Sequence, residues 1–285
     1  MTDLATTAPT IEDRLAAVPE LGGGGRFRAL TRNYGWQVAV ALEFVAALLL
    51  WWYFTTVNPI LPRSFLPPPS QVWEAMKGLF VTGTIFSHTL FTLQNFAAGF
   101  LLATVVSIPI GLLMGSSRLI ELFAAPPMWA AYAVPRVALA PLFVLIFGMG
   151  AASKVALVFL MASFPILINT MQGVKSVNPS FIRVGQVYGG GRAEIGRTVI
   201  LPAVLPYILA GLRIGVAGAI AGALIGEFIG SFEGLGMLLA RAAFNFEVSR
   251  ALALVAIVVL LAQGLMSVIQ FVRKRVAPWD ESTWA

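Results

Sequence analysis

Residues able to do chemistry are few in this 285-residue chain, and they are scattered. His88 is the sole histidine and cysteine is absent, so one chain has no histidine-built metal site and no thiolate chemistry. Paired acids or a histidine cluster at a membrane surface, which a membrane-embedded enzyme needs, are missing. No phosphate loop of the G-x4-GK[ST] kind occurs: "GMGAASKV" holds Lys154 at the wrong glycine spacing. No residue is therefore assigned a catalytic or metal-binding role, and the chain is not expected to hydrolyse ATP by itself.

The densest polar pattern is "VGQVYGGGRAEIGRTVILP", residues 184–202, set within otherwise apolar sequence. "PSFIRVGQVY" has the makings of a short helix, with Pro179 near its start and Gly189, Gly190 and Gly191 ending it. "RAEIGRTVI" reads as a second helix, and Leu201-Pro202 opens the next apolar run. Two short helices meeting at a glycine bend make a compact knob; an ordinary solvated loop is the plainer alternative.

The elements that carry this segment follow from composition. The chain is 58% hydrophobic and 11% charged, with mean hydropathy +0.85, where soluble domains are about 25% charged. Apolar runs near the ~20 residues that cross ~30 Å of hydrocarbon predict a helical membrane protein. A barrel would show alternating segments of about 10 residues instead. The expected architecture is an all-α polytopic bundle of about six spans. They are placed at 36–57, 89–115, within 118–149, at 153–173, 203–229 and 250–272. The third region is broken by Pro126, Pro127, Pro135 and Pro141, and reads as an interfacial helix followed by a span beginning near Pro135. Residues 1–35 are expected as a mobile cytoplasmic tail, 36–275 as the membrane domain and 276–285 as a second cytoplasmic tail. No cleavable signal peptide is apparent.

The net charge of +6 fits loop cations better than nucleic-acid binding. With both termini inside, Arg14, Arg26, Arg28, Arg32, Arg118, Lys175, Arg183, Arg192, Arg197, Arg273, Lys274 and Arg275 are cytoplasmic. They outnumber Arg63, Lys77, Lys154, Arg241 and Arg250 outside, as the positive-inside rule requires. The segment 174–202 then faces the cytoplasm.

"G-x9-V-x-L-P", from Gly189 through Val199, Leu201 and Pro202, resembles the ATPase-coupling (EAA) loop of ABC importer permeases. "LPPPSQVWEAM", "PRVALAPLFVLIFGMG", "FPILINTMQGVKSV", "LPAVLPYILAGLRIG" and "GEFIGSFEGLG" are similar to the permeases of nitrate, sulfonate, taurine and some pyrimidine-precursor uptake systems. The resemblance covers roughly residues 60–275. It implies a type I importer fold in the bacterial inner membrane and a homodimer. It also implies nucleotide-binding subunits holding ATP and Mg, and an extracytoplasmic substrate-binding protein. One departure stands out: where the family pattern begins Glu-Ala-Ala, this chain has Arg183-Val184-Gly185. The coupling surface implied by the resemblance comprises these three, Tyr188, Gly189, Gly190, Gly191, Arg192, Val199, Leu201 and Pro202.

Within the spans, Gly211, Gly215, Gly218, Gly222 and Gly226 recur at steps of three and four, one helical face that lets backbones approach closely. That face either packs inside one subunit or, as the family resemblance favours, meets a second copy or lines a shared pathway. Glu227 either caps the turn before "FIGSFEGLG" or seals an outer gate. Arg136, after the Pro135 break, is a candidate for attracting an anion in the pathway or for snorkelling to the interface. Gln94, Asn95, Asn169 and Thr170 are candidate solute contacts, though such groups more often join neighbouring helices. The expected solute is a small anion, with a neutral pyrimidine precursor as the alternative. The rivals are an ATP-independent secondary transporter, which would need coupling charges mid-span, and a scaffolding subunit that moves no solute.

Overall fold

A computed structural model describes residues 24–58, 62 and 65–279, with side chains from residue 38 onward. The chain divides into two units, Met1–Leu61 and Pro62–Ala285. In the first, helix α1 (Gly24–Trp52) continues through a wide turn, Tyr53–Val57. The boundary expected at residue 35 falls inside this helix, and residues 1–23 of the expected tail lie outside the described residues. The apolar window Val38–Val57 is long enough to cross a bilayer.

The second unit begins with α2 (Pro69–Val81), α3 (Thr84–Ser116) and α4 (Arg118–Ala133). A 3-10 turn, Arg136–Leu139, leads to α5 (Ala140–Phe147), followed by α6 (Ala151–Ser176) and α7 (Pro179–Val187). Then come α8 (Arg192–Ile195), a wide turn (Gly196–Ile200), α9 (Leu201–Gly230), α10 (Leu235–Phe244) and α11 (Val248–Val276). No strand occurs among the described residues. Among the described residues, five helices are long and apolar enough to cross a membrane, six if the bent pair α4 and 136–147 is one span. The expected spans at 89–115, 153–173, 203–229 and 250–272 fall within α3, α6, α9 and α11. The break expected near Pro135 is present, and the helix that follows it is short. Helix α5 reaches only about 12 Å at 1.5 Å per residue, and the chain bends by 82° between α4 and residues 136–147. Val134, before Pro135, is extended (φ −66°, ψ 132°) and ends α4, as the steric demand of a following proline favours.

Helix α6 is the centre of the second unit. Its Val158, Ala162 and Ile166 form a core with Phe96 and Ala103 of α3 and Val216, Ala219, Ile220 and Ala223 of α9. Glycines on both neighbours make the close approach possible. A β-carbon on Gly111 would stand 2.8 Å from the Leu167 carbonyl oxygen, and one on Gly222 2.9 Å from that of Leu157. Lipid tails are as apolar as leucine, so dense van der Waals packing between backbones is what holds such helices together.

Candidate functional site

The segment between α6 and α9 folds as the spacing predicts, into two short helices around a glycine bend. Asn178 caps α7 by accepting a hydrogen bond from the Ser180 N–H at 2.9 Å, and Pro179 occupies the first turn, where its missing N–H loses nothing. Gly189 has φ +82°, a left-handed conformation that a side chain would strain. Around it the Gly190 N–H donates to Gly185 O at 2.9 Å and the Gly189 N–H to Gln186 O at 3.0 Å. This is the paired-bond helix stop that left-handed glycines make. Ile195, buried at the end of α8, fills the bend: its Cγ1 would lie 3.1 Å from a β-carbon on Gly185 and 3.3 Å from one on Gly190. Val199 flanks the same spot. Ile195 was not singled out from the sequence, because an isoleucine among apolar neighbours carries no distinguishing signal.

The outer side of this knob is apolar and open. Phe181, Val184, Val187 and Tyr188 are exposed, Val187 at 85% and Tyr188 at 88%. Their spacing sets Phe181, Val184 and Tyr188 along one face of α7. Arg183 is exposed beside them, its guanidinium donating to Ser180 Oγ at 3.0 Å. Arg192 and Gly191 are exposed at the start of α8, while Pro202 is half-buried and Leu201 open. A wide turn joins the knob to α9, so residues Arg192–Gly230 form one continuous helical element of 39 residues.

The glycine face of α9 belongs to the interior of this chain, a correction to the expectation of a dimer or pathway face. β-Carbons on Gly211, Gly215, Gly218, Gly222 and Gly226 would each press on α6: on Asn169, Ile166, Met161, Leu157 and Leu157 in turn, between 2.7 and 3.1 Å. The face is small because α6 already occupies it.

Glu227 anchors the start of α10. The first N–H groups of a helix have no partner within it, and here three are taken by side chains. Gly234 N–H donates to His88 Nδ1, Leu235 N–H to Thr92 Oγ1 and Gly236 N–H to Glu227 Oε2, each at 2.9 Å. The Thr92 hydroxyl in turn donates to Glu227 Oε2 at 2.9 Å. Asn95 adjoins the same carboxylate. The capping role expected for Glu227 is therefore present, joining α3, α9 and α10. Lys154, counted from sequence as an outer loop cation, is instead fully buried. Its Nζ donates to the carbonyls of Met149 and Gly230, and its charge interacts with that of Glu227. His88 and Lys154 were missed as partners. The available signal was a lysine and a glutamate near the same end of two adjacent spans.

Arg136 sits at the Pro135 break with its guanidinium over Tyr132 at 4.9 Å and Phe164 at 5.6 Å. No carboxylate among the described residues pairs with it. The other candidate solute contacts do not gather around it. Asn169 donates to Pro165 O at 2.8 Å and Thr170 to Ile166 O at 2.7 Å, both within their own helix. Gln94 is exposed on α3, and Asn95 is buried beside Glu227. Asn169 and Thr170 thus bond back to carbonyls of their own helix.

The described residues thus hold helices long and apolar enough to cross a membrane, interrupted by a knob with an open apolar face. Residues 107–279 match the family described as binding-protein-dependent transport system inner membrane component, and the chain belongs to it. It is thus an ABC importer permease. It is 33% identical over 249 residues to the taurine transport system permease protein TauC of Escherichia coli, covering 85% of this chain and 90% of that one. It is 34% identical over 239 residues to the formylaminopyrimidine transport permease protein ThiX of Halalkalibacterium halodurans, covering 84% and 94%. The putative aliphatic sulfonates transport permease protein SsuC of Bacillus subtilis is 32% identical over 156 residues, covering 55% and 56%. Membership implies a substrate-binding protein and an ATPase as partners.

Proposed function

We propose that the chain is one of two identical permease subunits in an ATP-driven importer of a small organic or inorganic anion. Its knob, residues 174–202, receives the ATPase, which holds ATP and Mg, and both termini lie on the cytoplasmic side. The observation that carries the coupling role is the mechanical continuity from knob to far end. The exposed ridge on α7 closes onto Ile195, the wide turn fuses into α9, and α9 ends where Glu227 grips α10. A push on the ridge is thereby transmitted along one rigid element past α6 to the opposite end of the bundle. An anionic solute is supported by the carboxylate-free guanidinium of Arg136 at the bend, and by the taurine and sulfonate permeases among the relatives. The likeness to a formylaminopyrimidine permease supports a second reading, a neutral pyrimidine precursor.

The experiment is affinity purification from native membranes, followed by uptake in proteoliposomes carrying the recovered complex. Wild-type protein should bring down an ATPase in equal amount, and Gly189→Val should lose it. Arg136→Gln should lower uptake of a sulfonate or nitrate by about tenfold, the worth of one charge-assisted hydrogen bond. Uptake of a pyrimidine precursor that Arg136→Gln leaves unchanged would replace the anion by the neutral solute. Uptake driven by an ion gradient without any ATPase would overturn the coupling role.

A further inference from the structure

The knob sets its open apolar ridge beside cations that have no counter-charge. On α7, Arg183 and Val187 are four residues apart and so are neighbours on the helix surface. They border the ridge of Phe181, Val184 and Tyr188, and all five side chains are exposed. The Arg183 guanidinium donates to the neutral hydroxyl of Ser180, and no carboxylate among the described residues pairs with it. Arg192 and Arg197 are exposed on the same knob and likewise make no ion pair. Glu194, the knob's sole acid, stands three residues before Arg197 without bridging to it. The knob also stands clear of lipid. The 39 residues of Arg192–Gly230 reach about 58 Å at 1.5 Å per residue, against ~40–45 Å for a bilayer with its headgroups.

We infer that the knob fits a protein cleft with an apolar floor and a carboxylate opposite Arg183. Covering the ridge takes Val187 and Tyr188 out of water and carries Arg183 in beside Val187. A guanidinium that loses its hydration is costly unless an anion meets it. Its fork of N–H donors matches a carboxylate bidentately, which the Ser180 hydroxyl does not supply. This specificity rests on the proposed docking of an ATPase at the knob and adds which ATPase fits. A partner matched to the glutamate of the family pattern would set a cation at this position, facing a second cation. Arg183 thus selects its ATPase by repulsion as well as by attraction. An anionic bilayer offers the same charge, but the length of the Arg192–Gly230 element lifts the knob beyond it.

The test is binding of the copurified ATPase, separated and returned to the permease in phosphatidylcholine nanodiscs. Arg183→Glu should weaken binding about a hundredfold and Arg183→Lys by less than about tenfold, the range of a charge pair closed from water. Added salt should weaken binding to the wild type more steeply than binding to Arg183→Ala. One carboxylate of the ATPase cleft, replaced by lysine, should weaken binding to the wild type and restore binding to Arg183→Glu, a rescue that misfolding does not produce. Equal affinity of wild type and Arg183→Glu, with Gly189→Val still abolishing binding, would overturn the carboxylate and leave the docking reading standing. So would the failure of every cleft carboxylate to rescue. ATPase binding that survives Gly189→Val would overturn both. Val187→Cys, in a chain without native cysteine, should be open to a soluble thiol reagent until the ATPase is added. Its protection by phosphatidylglycerol nanodiscs alone would give the knob to the membrane surface and overturn the protein cleft.

Discussion

Gly185 and Ile195 show how a local departure from a family pattern is absorbed. The third position of the Glu-Ala-Ala pattern is glycine here, and the space where a methyl would stand is taken by Ile195 Cγ1. A β-carbon at 3.1 Å is tighter than ordinary contact, so Gly185→Ala forces Ile195 to move by a few tenths of an ångström. The bend is fixed by backbone bonds to Gly185 and Gln186, so the shift propagates to the exposed ridge. Gly185→Ala should weaken ATPase binding by about 1 kcal/mol, in the range of mild overpacking. Ile195→Val, which deletes Cδ1 at 3.6 Å and leaves the smaller side chain room to shift Cγ1 aside, should restore part of it in the double variant. Titrating purified ATPase against the four proteins of this cycle checks the pairing. Additive effects would show that the two residues do not touch in the working protein.

At the scale of elements, α6 is held between two glycine-notched helices, and the notches differ sharply from glycines in open space. Gly222→Ala places a methyl 2.9 Å from Leu157 O and 3.0 Å from Val158 Cα, atoms of the backbone that cannot swing aside. It should lower stability by about 1–3 kcal/mol. Gly264→Ala on α11 meets nothing within 4 Å and gains helix propensity, so it should be neutral or stabilising by up to about 1 kcal/mol. Thermal denaturation in detergent, read on both variants side by side, distinguishes them. The position of the spans was legible because about twenty apolar residues are needed to cross lipid, and that constraint is written directly into composition. The glycine periodicity was legible too, but not what fills it. Spacing reveals which face is small, whereas the helix that occupies the face is decided by packing between segments distant in the chain, as with Gly222 against Leu157. Likewise the bend at Pro135 was visible, yet the shortness of α5 was not, because Gly148 ends that helix with φ +76° after eight residues. In the knob, Gly189 and the Leu201-Pro202 frame could be read; the buried Ile195 could not.

For the whole molecule, the two ends of the bundle are built differently. One carries the exposed knob and the pairing of Glu121 with Lys175 at 2.6 Å and Arg118 at 3.2 Å. The other is closed inwardly: His88, Thr92 and Glu227 consume the free N–H groups of α10, and Lys154 reaches across to Gly230. The first end leaves apolar side chains open, and the second holds its own elements in register. The second end also imposes an order on synthesis. Lys154 enters the membrane with α6, but its acceptor at Gly230 and the charge of Glu227 emerge only at the end of α9. Until then, of its two carbonyl acceptors, only that of Met149 has been made. Pulse-chase labelling of chains truncated after Ser176 should therefore show rapid proteolysis, with Lys154→Met slowing it; equal lifetimes would deny the lysine this part. On the first outcome the buried lysine acts as a mark of incompleteness, erased only when the helix that answers it has been made.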